Sequence, residues 1–217
     1  MAVYSTYGPV KPPIRFSRQE VGQIVLAVAV LTFAFALLLS RLYGFLGALI
    51  LAAVAVPSGF LLHELGHKVV AQRYGFFAEF RAWYMGLVLA VFTAFFGFLF
   101  AAPGAVMIQG FGSPEQTGRI SAAGPGVNLA IGGPFALIWF LLVVAGFNFA
   151  IGMAITLTDL VGGVAFINVL LGAFNMIPIP PLDGSKIVRW NLGTYLLLLA
   201  PLAALVVLGF LFFSPFL

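Results

Sequence analysis

The stretch Phe45-Leu-Gly-Ala-Leu-Ile-Leu-Ala-Ala-Val-Ala-Val-Pro57-Ser-Gly-Phe-Leu-Leu62 carries no charge and runs directly into His63-Glu64-Leu65-Gly66-His67-Lys68. About 20 apolar residues are needed to cross roughly 30 Å of hydrocarbon. The stretch therefore reads as a membrane span, from about residue 45 to 68, whose far end holds ionisable groups. Ionisable groups in such a place are expensive, which makes them functional candidates. On the N-terminal side, Arg41 and Tyr43-Gly44 mark a tight turn, and before it Val21 to Ser40 is a second charge-free run. That run exceeds the roughly 7–15-residue core of a signal peptide and is read as a retained first span. Residues 1–20, with Pro9, Pro12, Pro13, Lys11, Arg15 and Arg18, read as a short extended arm ahead of it.

The rest of the chain has the same character. Of its 217 residues 63% are hydrophobic and 7% charged, against about 45–50% and about 25% in soluble domains. The net charge of +4 is the excess of ten basic over six acidic residues, and the basic ones form no dense run, so they read as signals of membrane orientation, with no nucleic-acid partner. Cysteine is absent, which excludes disulfide scaffolds, iron–sulfur clusters and thiol catalysis. Residues 76–83 and 100–109 are short, aromatic or β-branched and bounded by Gly and Pro, as strands are. Between them, Met85 to Leu99 is an apolar run of a length that fits either a short span or a re-entrant loop. A polar loop at 112–119 precedes further spans at about 120–145, 158–176 and 192–213. The expected fold is an all-α polytopic membrane protein with five to six transmembrane helices, embedded as one domain over 21–217, with a small β-hairpin or re-entrant region at about 76–110.

His63-Glu64-x-x-His67 is the His-Glu-x-x-His pattern of zinc metallopeptidases. On a helix, residues i and i+4 are about 40° apart in rotation, so both imidazoles project from one face and can grip one metal. Glu64, about 100° round from His63, can reach a water at an open coordination position and act as a general base. A catalytic zinc usually has three protein ligands, and the chain has only these two histidines. The third ligand must come from the carboxylates Glu20, Glu79, Glu115, Asp159 or Asp183. Asp159, ahead of an apolar run, carries a helix N-cap signature. Asp183 follows Pro178, Pro180 and Pro181 and precedes Gly184. Irregular backbone near a membrane persists only where protein or a watery cavity surrounds it, so this segment reads as lining a site.

In their order along a polytopic chain, His63-Glu64-x-x-His67, Gly124-Pro125-x-x-Asn128 and Asn175-x-x-Pro178-x-x-x-Leu182-Asp183-Gly184 resemble the signatures of the site-2 protease family of intramembrane zinc metalloproteases. The resemblance covers about residues 45–190. It implies one Zn2+ per chain held by His63, His67 and Asp183, Glu64 as the base, and transmembrane protein substrates in the lipid bilayer. The apolar run at 85–99 is longer than the short hairpin expected between these motifs, and a single span follows Asp183.

For Asp183 to meet the histidines, an even number of crossings must separate them, which makes 85–99 re-entrant. Cytoplasmic loops are enriched in Lys and Arg. With five spans and a cytoplasmic N-terminus, Lys11, Arg15, Arg18, Lys68, Arg73, Arg81, Arg119, Lys186 and Arg189 lie inside, against Arg41 outside. A sixth span would move Arg119, Lys186 and Arg189 across, so the charges favour the arrangement that the metal requires. The expected localisation is the cell membrane, with the active site opening to the cytoplasm. Asn128 and Asn175, each in an apolar stretch, are candidates for substrate binding or oxyanion stabilisation, or for hydrogen bonds between packed helices. The two strand-like segments are candidates for pairing with an extended substrate. The competing function is a divalent-metal transporter using the same His and Asp groups, for which Glu64 would not be needed as a base.

Overall fold

The computed structural model describes residues 14–110, 112–151 and 155–212. Most of the arm at 1–20 and Phe213 of the last expected span lie outside them. A long helix α1 (Arg18–Val56) starts at Ser17, whose hydroxyl caps the Glu20 N–H. It is broken at Gly44, with φ 66° and ψ 162°, a conformation that costs any residue with a Cβ. The chain reverses there. Ala27, Leu31 and Ala34 of the first arm pack in one cluster with Ala52, Val56 and Phe60 of the second, and Glu20 meets Lys68 across the pair at 2.8 Å. Small residues along this seam let the two backbones approach closely, as membrane helices do.

The second arm contains a π-helical turn, Pro57–Leu61, in which Leu62 N–H reaches back five residues to the Pro57 carbonyl. Helix α2 (Leu62–Arg73) follows and carries both histidines. Strands β1 (Phe77–Ala82) and β2 (Gly104–Gln109) pair antiparallel, with Phe80 opposite Val106. The second strand is shorter than the run at 100–109 expected from composition, because Pro103 has no N–H and offers only its carbonyl, to Trp83 N–H.

Between the strands lies α3 (Tyr84–Phe95), 12 residues long. At 1.5 Å per residue it is about 18 Å, too short to cross. Its two ends feed paired strands, so the apolar insertion goes out and comes back. Leu87, Ala90 and Ala94 of α3 pack on the first arm of α1.

Helix α4 (Pro114–Val144) begins earlier than the expected polar loop allowed. Ser113 and Gln116 form a capping box with Pro114 in the first turn, a strong helix start that composition disguises as a loop. A two-residue pairing of β3 (Ala150–Ile151) with β4 (Ile155–Thr156) leads to α5 (Leu157–Asn175), then α6 (Asp183–Trp190) and α7 (Leu192–Phe212). The N-cap of α5 is Thr156. Asp159, expected to cap, sits three residues on and completes the box from inside. Among the described residues four helical stretches are long and apolar enough to cross a membrane, and since the first is folded at Gly44, they provide five such arms. Helix α4 is central, packing on α2, α5, α6 and α7.

Candidate metal centre

The prolines at 178, 180 and 181 end α5 and turn the chain so that Asp183 opens α6 against α2. Asp183 Oδ2 lies 3.4 Å from His63 Nε2 and 3.1 Å from His67 Nε2, and the two Nε2 atoms are 3.1 Å apart. All three residues are buried. The imidazoles approach α4 closely because position 124 is glycine: a Cβ there would come within 2.6 Å of His63 Nε2 and closer still to His67.

This donor set fits a zinc ion. Ligands about 2.0–2.1 Å from a tetrahedral zinc are about 3.3 Å from one another, which matches the spacings here. The orientation of the rings agrees. His67 Nδ1 is 2.8 Å from the Ile120 carbonyl and His63 Nδ1 is 2.6 Å from Asn128 Oδ1. Both partners accept, so each Nδ1 carries the hydrogen and each Nε2 turns a lone pair toward Asp183. Two lone pairs and a carboxylate oxygen converging with no donor among them call for a cation.

Glu64 stands beside this cluster, its Oε2 accepting from Val106 N–H of β2 at 2.9 Å. A cavity of about 410 Å³ joins the groups, with His63, Glu64, His67 and Asp183 on one wall and Ala102 to Val106 and Asn175 among the others. Pro125 leaves the carbonyl of Ser121 without its helical donor, and Ser121 lines the same cavity.

The other candidate carboxylates have partners elsewhere. Glu20 binds Lys68, Glu79 binds Arg81, and Glu115 binds Arg119 at 2.7 Å. Asn175 lines the cavity and donates to the Leu171 carbonyl at 3.0 Å. Asn128 hydrogen-bonds between packed helices, the second of the two uses open to it in the sequence. Both its amide hydrogens are taken, by the Gly59 carbonyl at 2.9 Å and Asn168 Oδ1 at 3.1 Å, so it has no donor left for an oxyanion. Sequence reasoning missed Asn168, although an asparagine in a charge-free apolar stretch was the signal used for the other two. It also missed Lys186, whose ammonium lies 3.8 Å from Asp183 Oδ1 at the cavity edge.

A polytopic membrane fold with a two-histidine, one-carboxylate centre and an adjacent glutamate defines a membrane-embedded zinc metalloprotease. Comparison with known proteins agrees. The profile of peptidase family M50 matches residues 143–208. A Methanocaldococcus jannaschii protein assigned as a zinc metalloprotease is 39% identical over 179 residues, 82% of this chain and 87% of the relative. The chain thus belongs to peptidase family M50, the site-2 proteases. Rip3 of Mycobacterium tuberculosis, also assigned as a zinc metalloprotease, is 31% identical over 63% of this chain and 30% of its own length. A second zinc metalloprotease of Methanocaldococcus jannaschii is 33% identical over 59% of this chain and 30% of its own. The matched region is thus under a third of these two longer relatives. No solved structure matches the chain.

Proposed function

We infer that the chain is an intramembrane endopeptidase that hydrolyses peptide bonds within or near transmembrane segments of other membrane proteins. The observation that carries this reading is one cavity, set among apolar arms, that holds the three ligand atoms, the Glu64 carboxylate and the outer edge of β2 together. His63, His67 and Asp183 are assigned as the zinc ligands. When bound there, zinc polarises the scissile carbonyl and lowers the pKa of a water toward neutrality. Glu64 takes the proton from the attacking water and passes it to the leaving amine, while Val106 N–H keeps its carboxylate aimed into the cavity.

A substrate helix hides its amides in its own hydrogen bonds, so it must be extended before attack. Val106 N–H points away from β1, and by antiparallel alternation Gly104 and Ile108 present their backbone to the same side. That edge suits an unwound substrate segment, and Asn175, which lines the same cavity, is a candidate to bind its backbone. Charge supports a cytoplasmic opening: Arg15, Arg73, Arg119, Lys186 and Arg189 belong to segments at the metal end, and Arg41 alone lies at the Gly44 end. Lys68 is neutralised by Glu20, and the imbalance persists without it. The test is cleavage of a membrane-embedded substrate by purified protein and by Glu64→Gln. Loss of cleavage with zinc retained is expected, and full cleavage by the variant would refute the reading.

A further inference from the structure

Asn128 can face His63 in two ways. Through its carbonyl it accepts from Nδ1–H. Through its amide it would need a bare Nδ1, which would move the ring's hydrogen to Nε2 and close off the atom facing Asp183. The surroundings decide between them. The Gly59 carbonyl can only accept, and it takes one Asn128 amide hydrogen at 2.9 Å. The other goes to Asn168 Oδ1 at 3.1 Å. Asn168 is itself fixed, because its amide donates to the Val164 carbonyl at 2.9 Å and to Ser58 Oγ at 3.0 Å, and the Ser58 hydroxyl hydrogen is committed to the Ala55 carbonyl at 2.8 Å. Each donor is used, and the chain runs in one direction only, from His63 to the carbonyls at its far end.

The packing is built around this relay. Asn128 and Asn168 are both 0% exposed. A Cβ at Gly132 would lie 3.1 Å from that of Asn168, and one at Gly172 would lie 3.0 Å from that of Asn128, so α4 and α5 approach closely enough for the amides to meet only because both positions are glycine. Asn168 does not line the cavity. His67 needs no relay, since a backbone carbonyl holds it.

We propose that Asn168, acting through Asn128, is a positioning residue that holds His63 in its Nδ1–H tautomer and so sets the zinc affinity of the centre. The proposal rests on the assignment of His63 as a zinc ligand. With only two histidines in the chain, 15N-histidine labelling of the zinc-loaded protein reads the two rings separately, and competition with a chelator reads affinity. Asn168→Leu should weaken zinc binding about tenfold, the lower end of the effect of groups behind a ligand. It should also perturb the His63 Nδ1–H resonance and leave that of His67 unmoved. In an Asn128→Leu background it should add nothing, because its effect passes through Asn128. Ser58→Ala, a milder change, should move the same His63 resonance by less, and it carries the test if Asn168→Leu does not fold. Affinity within twofold of wild type, both rings moving together, or a full additional loss in the Asn128→Leu background would overturn the proposal. A wild type that binds zinc through two Nδ1–H rings but cleaves no membrane substrate would refute the protease activity and leave the relay standing.

Discussion

The two outer edges of the β1–β2 hairpin are treated in opposite ways. Along β1, Glu20 and Gln23 of the first arm accept from Phe80 and Ala82 N–H at 2.9 Å each, and Lys68 and Gln72 donate to the Ala78 carbonyl at 2.7 and 3.1 Å. Both members of the Glu20–Lys68 pair are 0% exposed. Along β2, one side chain, Glu64, takes the Val106 N–H, and the edge otherwise looks into the cavity. An uncovered strand edge is a liability that proteins usually block. Here one edge is closed with two buried charges, and the other is left available beside the reactive carboxylate. Coverage separates the strand that anchors the hairpin from the strand left open to the cavity.

The sharpest way to break this contrast is at the open edge. Glu64→Gln keeps an oxygen for Val106 N–H but loses the base, so cleavage should fall about 10²- to 10⁴-fold with zinc content, read by metal analysis, unchanged. At the closed edge, Glu20→Leu leaves the buried Lys68 charge without its counter-ion, with the Ala78 carbonyl still accepting from it, and should cost about 3–5 kcal/mol in unfolding experiments in detergent. Adding Lys68→Met to it should recover most of that loss, since a buried pair can often be replaced by apolar residues; no recovery would mean that the pair acts otherwise than as a seal. Ile108→Pro removes one N–H from the open edge. Cleavage should drop about 3–10-fold, the worth of one backbone hydrogen bond, with zinc still bound, and unchanged turnover would dismiss strand pairing with substrate. The exposed pair Glu115–Arg119, on neither edge, is the control: Glu115→Gln should shift stability by less than about 0.5 kcal/mol.

Much of this was legible in the sequence where chemistry is tied to residue identity. His63 and His67 stand out by type and spacing, Asp183 by the prolines before it and the glycine after it, and the turn at Gly44 by its place between two apolar runs. The hairpin interrupted by an apolar insertion was also readable, because Gly and Pro bound its strands. What failed to show depends on tertiary distance. Nothing in the sequence couples Glu20 to Lys68, 48 residues on. Asn168 has no characteristic spacing from Asn128, so its place in the relay appears only once α4 and α5 are packed. The cap of α5 was misplaced by three residues because Thr156, Thr158 and Asp159 all suit a helix start, and only the backbone φ of −104° and ψ of 166° at Thr156 decides among them.

The π turn at Pro57–Leu61 carries a consequence of its own. Such a turn holds one residue more than an α-helical turn, and each residue of an α-helix is worth about 100° of rotation. Deleting a single residue there would restore the ordinary winding and swing the face bearing His63 and His67 by about 100° relative to the arm before it, away from Gly124. The direction in which the centre looks is therefore stored as chain length, and one codon removed from this turn would disable the enzyme without altering any residue that touches the metal or the substrate.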